Sequence, residues 1–363
     1  MITALIFIAV LFVLILVHEW GHFIVAKLTR MRVDEFAIGF PPRLYSIRRG
    51  ETEYSLNATM IGGYVRIHGE DPTQVDAGPD ADRSFSARPK WAQVLVLIAG
   101  VSMNIVLAWF LFVIVFSLGV PTLVDPEAAG PDAEFRVLSI VPESELADQL
   151  PLNATIVSVT SGDQELAELN PAALSEFVQT APNDITISYL VGTQEQRTVT
   201  VTPATGVLSD DPDRMAIGLS TGLVETRYYG PIEAIVGATE QTIQSLQLIV
   251  VSIARLLYNA TTGEADFTQV AGPIGIFNLV GDAAATGIAP LLMFTAVISL
   301  NLAVINLFPF PALDGGRLVF VAIEAITRRP IDPIWAARLN GIGFLLLIAL
   351  MIAVTYNDIL RLI

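Results

Sequence analysis

An apolar run from Ile2 to Val17 closes on His18-Glu19-Trp20-Gly21-His22, and this junction restricts the chain more than any other stretch. A run of that length predicts a helix in a bilayer, where backbone polar groups have to be satisfied within the segment. Ionisable groups in such a place are costly, and functional by default. On a helix, residues four apart lie one above the other, so both imidazoles can reach one ion while Glu19 stands beside it. The spacing is H-E-x-x-H. Two neutral imidazoles suit zinc, and a neighbouring carboxylate suits removal of a proton from a water that attacks a carbonyl carbon. The competing reading, two histidines meeting at a helix end by chance, sits poorly with the apolar setting.

Composition agrees. Of 363 residues, 53% are hydrophobic and only 15% charged, and the mean hydropathy is positive, which predicts a membrane protein. There is no cysteine, so any metal must be held by His, Asp or Glu. A formal charge of -16 leaves no extended basic surface to neutralise phosphates, and nucleic acid is excluded as a partner. Four segments are expected to span: Ile2 to Leu28, Trp91 to Val120, Ile288 to Phe308, and Leu339 to Tyr356. The first has neither a basic n-region nor a small-residue cleavage site, and is expected to stay in the mature chain. The stretch Leu246 to Tyr258 is apolar but only about thirteen residues long, and it carries Ser252 and Arg255, which predicts an interfacial or packed helix. A fifth span there would put the polar motifs of the first and third spans on opposite faces of the bilayer.

Charge sets the expected orientation. Ten of the 20 Lys and Arg residues fall between His18 and Trp91, and Arg317, Arg328, Arg329 and Arg338 lie between spans three and four. Those two loops are predicted to be cytoplasmic, with both termini outside. His18 then lies roughly 24 Å along a helix entered at Ile2, inside the hydrocarbon and close to its inner face.

A metal needs a third protein ligand. The remaining histidine, His68, is in the basic loop and reads as a surface residue. Asp314 stands out, because it follows the third span in Asn306-Leu307-Phe308-Pro309-Phe310-Pro311-Ala312-Leu313-Asp314-Gly315-Gly316. Two prolines and two glycines there place irregular backbone at membrane depth, which is tolerated only around a buried or wet site. An ordinary span end followed by a turn is the other reading.

Three stretches in order, His18-Glu19-x-x-His22, Gly100-Val101-Ser102-Met103-Asn104 and Asn306-x-x-Pro309-x-Pro311-x-Leu313-Asp314-Gly315, together resemble the site-2 protease family of intramembrane zinc metalloproteases. The likeness is strongest to the bacterial regulator of sigma-E protease branch, and extends to Ile61-Gly62-Gly63-Tyr64-Val65, Ala271-Gly272-Pro273-Ile274-Gly275-Ile276 and Val354-Thr355-Tyr356-Asn357-Asp358. It implies Zn2+ held by His18, His22 and Asp314, with Glu19 as general base and Asn306 near the substrate backbone. Asn104 is assigned to the same substrate-binding core. The implied activity is endopeptidase cleavage within or next to the membrane segments of single-pass proteins, of anti-sigma factor type or remnant signal peptides. The implied location is a bacterial inner membrane, with the site toward the cytoplasm. A catalytically silent membrane scaffold is one alternative, disfavoured by intact Glu19 and ligands. A metal transporter is another, disfavoured because the spans carry few other ionisable residues.

The expected fold is a multi-pass α-helical membrane protein of four transmembrane helices, with a membrane-associated β loop and an inserted extracytoplasmic α+β PDZ-like domain. Residues 1–28 form span one with the zinc motif, 29–90 a cytoplasmic-side β loop and linker, and 91–120 span two. Residues 121–227 hold the PDZ-like domain with its flanks, and 228–287 a helical membrane-associated region. Span three with the Asp-Gly motif is 288–316, a cytoplasmic loop 317–338, and span four with an outer tail 339–363. In the β loop, Val33 to Phe40, Leu44 to Ile47, Glu53 to Asn57 and Tyr64 to Ile67 read as short strands between turns. They suit either an edge that holds an unwound substrate or an ordinary hairpin. In the outer segment, Phe135 to Val141, Ala154 to Thr160, Ile185 to Val191 and Gln196 to Thr202 read as strands, with helices near Glu143 to Gln149 and Pro171 to Gln179. This order resembles a single PDZ domain, with Leu152-Asn153 where a Gly-Asp is usual, and its place between spans two and three suits a size filter.

Overall fold

The computed structural model describes residues 2–70, 80–141, 144–147, 149–181, 184–191, 195–206, 214–263 and 271–361. Among the described residues five helices are long and apolar enough to cross a membrane: α1 (Ile2–Leu28), α2 (Lys90–Leu118), α4 (Pro231–Thr262), α6 (Ile288–Leu307) and α8 (Pro333–Leu360). Four are where the apolar runs put them. The fifth, α4, corrects the expectation of a thirteen-residue helix and of only four candidates. It has 32 residues, because helix formation continues well before the apolar stretch. Pro231 occupies the first turn, Glu233 accepts from the Gly230 N–H at 3.3 Å, and Gly263 ends the helix in the left-handed conformation at φ 78°. Ala234, Ala238, Thr242, Ser245 and Ile249 are its buried residues, three to four positions apart, the signature of a one-sided helix. Ala238 and Ile249 pack with Ala108, Phe112 and Leu300 of α2 and α6, and Trp109 Nε1 donates to Thr239 Oγ1 at 3.0 Å. Two shorter helices, α5 (Pro273–Thr286) and α7 (Asp314–Thr327), flank α6.

Two extended segments, β1 (Val33–Arg49) and β2 (Thr52–Ile67), follow α1. Their register folds each of them over. Phe36 faces both Val65 and Tyr54, and Ala37 faces both Tyr64 and Ser55, while Ile47 faces Tyr54. The order across the sheet is therefore 43–49, 52–57, 33–40, 63–67, with the first and last as edges. Ala26, Met31, Val33, Ile67, Ala92, Val96, Leu97 and Val321 form one buried cluster, which ties the end of α1, both extended segments, the start of α2 and α7 together. Lys90 Nζ reaches Glu324 Oε2 at 2.5 Å, joining α2 to α7 once more. Glu35 is 1% exposed. Its burial works to raise its pKa, yet the Ser55 hydroxyl and the Arg66 and Arg43 guanidiniums hold it below the ordinary value.

Residues 118–229 form a compact unit of their own. Its antiparallel sheet has the order β3 (Val120–Val124), β9 (Leu219–Arg227), β4 (Glu134–Ile140), β5 (Thr155–Ser161), β7 (Ile185–Val191), β8 (Glu195–Val201), with β6 (Gln164–Glu165) paired to β5. One helix, α3 (Pro171–Thr180), covers it. Asn170 caps that helix by accepting from the Ala173 N–H at 2.8 Å. Leu174 and Val178 of α3 meet Val137, Ile156, Ile185, Ile187 and Val199 in the core. The helix expected near Glu143 to Gln149 is a pair of turns where it is described; residues 142, 143 and 148 lie outside the described residues, as does much of the polar linker before Arg88. Strands β3, β6 and β9 were not expected.

Candidate functional site

Three donor atoms from two distant parts of the chain meet at one point. His18 Nε2 lies 3.1 Å and His22 Nε2 3.2 Å from Asp314 Oδ2, and the two imidazole nitrogens are 3.2 Å apart. Each histidine is 8% exposed. The pair sits on successive turns of α1, and Asp314 is the first residue of α7.

The orientation of each ring explains why three such atoms converge. His22 Nδ1–H donates to the Val96 carbonyl at 2.8 Å, so its Nε2 carries a lone pair. The Asn104 side-chain amide faces His18 Nδ1 at 3.2 Å, and its oxygen has no partner among the described residues. With that oxygen turned to Nδ1 it accepts the Nδ1–H, and the second Nε2 is also left bare. Asp314 Oδ2 is buried with no N–H or O–H donor among the described residues. Three mutually repelling lone pairs at this separation call for a cation among them. Ligand bonds of about 2.0–2.1 Å in a tetrahedron give edges of about 3.3 Å, close to the distances found. The residues fit zinc.

Small residues make the approach possible. A Cβ on Gly21 would stand 2.5 Å from the Ala99 carbonyl oxygen, and one on Gly100 would strike both imidazoles, with His18 Cε1 2.8 Å away. Helices α1 and α2 therefore touch backbone to backbone at the site. Asn104 is itself fully buried, and Ser299 Oγ of α6 donates to its carbonyl at 2.8 Å. Before α7 the chain turns through Ala312 at φ 77°, whose N–H donates to Asn340 Oδ1 at 3.2 Å.

Glu19 points away from the imidazoles, toward the sheet. Its Oε2 accepts from the Val65 N–H at 3.1 Å, and it lines a narrow cleft with Phe12, Ile15, Phe36, Ile38 and Gly63. A larger apolar cavity of about 430 Å³ lies beyond Phe36, between Trp20, Phe23 and Tyr54. Asn306 is next to last in α6, half-buried. His68 is not part of the cluster; its Nδ1 lies 3.0 Å from Asp34 Oδ2.

The sequence profile of peptidase family M50 matches residues 6–350. The chain belongs to peptidase family M50. This is the site-2 protease family, and membership makes the chain a membrane zinc metalloprotease. Among curated M50 relatives, a Clostridium perfringens protein named for a zinc metalloprotease is 35% identical over 360 residues, covering 96% of this chain and 95% of the relative. The zinc metalloprotease RasP of Oceanobacillus iheyensis is 28% identical over 440 positions, with 100% of both chains covered. The regulator of sigma-W protease RasP of Bacillus subtilis is 25% identical, with 99% of each covered. Sequence reasoning overlooked the Val96 carbonyl, the Val65 N–H and Ser299, since two act through the backbone and the third is a serine in an apolar run.

Proposed function

We propose that His18, His22 and Asp314 hold the M50 zinc, that Glu19 is the general base, and that the substrates are single-pass membrane proteins cut within or next to their membrane segments. The convergence of three bare donor atoms within 3.2 Å, one residue along the helix from a carboxylate, carries this reading. Bound there, the ion supplies Lewis acidity and brings a water proton within reach of a weak base. Glu19 Oε1 takes that proton, while the Val65 N–H holds Oε2, and Glu19 returns it to the leaving amine. Asn306 is assigned to the substrate backbone, and its lack of a side-chain hydrogen-bond partner among the described residues supports that role. The full burial of Asn104 supports a role in orienting His18 and not in touching substrate. The sigma-factor regulation in the Bacillus relative's name supports anti-sigma type substrates.

The proposed topology keeps four net crossings, with the site toward the cytoplasm. Helix α5 supports this. Asp358, near the end of α8, accepts from the Gly272 N–H at 3.1 Å and the Gly275 N–H at 2.8 Å, while Gly281 packs against Thr3 at the start of α1. The end of α8 and the start of α1 share the outer face in this topology, and so does the end of α2. Pro231 and Gly272 thus lie on one face in this topology, and α4 counts as no net passage. Residues 121–227 are proposed as a PDZ-like module that filters substrates by size; one helix on an antiparallel sheet supports that fold, and Asn153 at φ 63° takes the turn expected of a glycine.

Purified protein, tested on a designed transmembrane substrate with and without chelator, decides the assignment. Glu19→Gln keeps size but removes the base, so zinc should stay stoichiometric while cleavage falls at least about a hundredfold. Asp314→Ala should lower zinc occupancy itself. Cleavage by Glu19→Gln at the wild-type rate would refute the base.

A further inference from the structure

The edge segment 63–67 presents its backbone N–H groups alternately to its neighbour and to the open side. The His68 N–H goes to the Arg32 carbonyl at 2.9 Å, on the neighbour's side, so those of Val65 and Ile67 face outward. Both are occupied by carboxylates. Val65 donates to Glu19 Oε2 and Ile67 to Glu70 Oε2, each at 3.1 Å. The second oxygen of Glu70 pairs with Nη1 of Arg317, and Arg317 stands three residues after Asp314 on α7, one turn along the same helix. An unbroken line of bonds runs from Glu19 through two rungs of the strand to Glu70, Arg317 and the helix that begins with Asp314.

We infer that Glu70 and Arg317 are a positioning pair, which fixes the carboxylate of Glu19 relative to Asp314 by locking the edge strand to α7. The inference rests on the roles proposed above for those two residues. Glu19 has three rotatable side-chain bonds, and among the described residues a single N–H holds it. That N–H is only as well placed as its strand, whose pairing with segment 33–38 is irregular between Val33–Ile67 and Glu35–Arg66, next to the Ile67 rung. Anchoring the strand two residues beyond Val65 removes the slack, because a shift of about 1 Å at a reacting group costs about 10²-fold in rate. The pair is partly shielded, with Glu70 17% and Arg317 32% exposed at the side chain, so salt screens it less than a surface pair. Glu70 does two separate things: it accepts from Ile67, and it pairs with Arg317.

The two functions can be separated in the zinc-loaded full-length protein, using a fluorogenic transmembrane peptide as substrate. Glu70→Ala and Arg317→Ala should each lower kcat by about 10- to 100-fold with KM and zinc stoichiometry unchanged, and the double variant should be no worse than the poorer single one. Glu70→Gln still accepts from Ile67 and should recover part of kcat. The exchange E70R with R317E restores an ion pair, but arginine cannot accept the Ile67 N–H, so kcat should remain low. Loss of zinc, a raised KM at unchanged kcat, or full recovery in the exchanged pair would each overturn the inference. Glu19→Gln, run alongside, tells the two levels apart. If it is inactive and the Glu70 and Arg317 variants are normal, only the positioning pair fails; if it is active, the base assignment fails with it.

Discussion

Gly100 leaves a gap on α2 that the two imidazoles of α1 fill, and a single added methyl tests how tightly the site is built. In Gly100→Ala the helix gains propensity by up to about 1 kcal/mol, while the new Cβ strikes both rings. Overpacking of a fixed interior costs about 1–3 kcal/mol. That cost falls on the metal equilibrium, because the rings must turn from Asp314 to relieve it. Zinc affinity should drop about 5- to 150-fold, measured by competition with a chromogenic chelator, with the metal-free protein no less stable to heat. At this scale the sequence was most legible: His18, Glu19 and His22 carry side-chain chemistry whose types and spacing can be read directly, while Asp314 was singled out by the prolines and glycines around it and named a ligand through the family resemblance. Asn104 could be seen as part of the core, but its contact with His18 Nδ1 could not. A backbone donor such as that of Val65 has no residue type to mark it.

Elements show where pattern reading works and where it fails. The four short runs of the loop after α1 alternate between turns, and they return as the four segments of the doubled sheet. Their order across it was not readable, since register depends on contacts such as Glu35 with Ser55, Arg43 and Arg66. Helix α4 was cut short because an apolar-run criterion ignores a one-sided helix whose buried face is mostly Ala, Thr and Ser. Strand β9 was missed because Gly222 and polar residues hide its alternation. The Glu35 cluster also makes the sheet acid-sensitive in a defined direction. Its folded pKa lies below the usual 4.5, so its stabilisation is complete above that value and is lost as pH falls through the lower, folded value. Amide exchange in residues 33–67 should accelerate below about pH 4.5, and Glu35→Gln should flatten that dependence. An acid-induced rise of equal size in the variant would assign the effect elsewhere.

For the whole molecule, the side on which each segment lies is the leading question, and the absence of cysteine makes it accessible. Ser86 and Gln164 are exposed, the one in the basic loop before α2 and the other at the tip of a hairpin in the 118–229 unit. Cysteines placed there singly should be labelled by an impermeant maleimide from opposite faces of sealed vesicles. Labelling of both from one face would refute the topology.

The distance along the chain between His22 and Asp314 also has a consequence in time. A ribosome adding about 5–20 residues per second delivers the two imidazoles first, and the carboxylate that completes their cluster follows on the order of tens of seconds later. On the proposed assignment, the histidines have no third partner and Glu19 no centre to serve until α7 has been made. The proposed assignment therefore implies a protease that cannot cut the machinery that inserts it or neighbouring nascent chains until Asp314, of 363 residues, has been added.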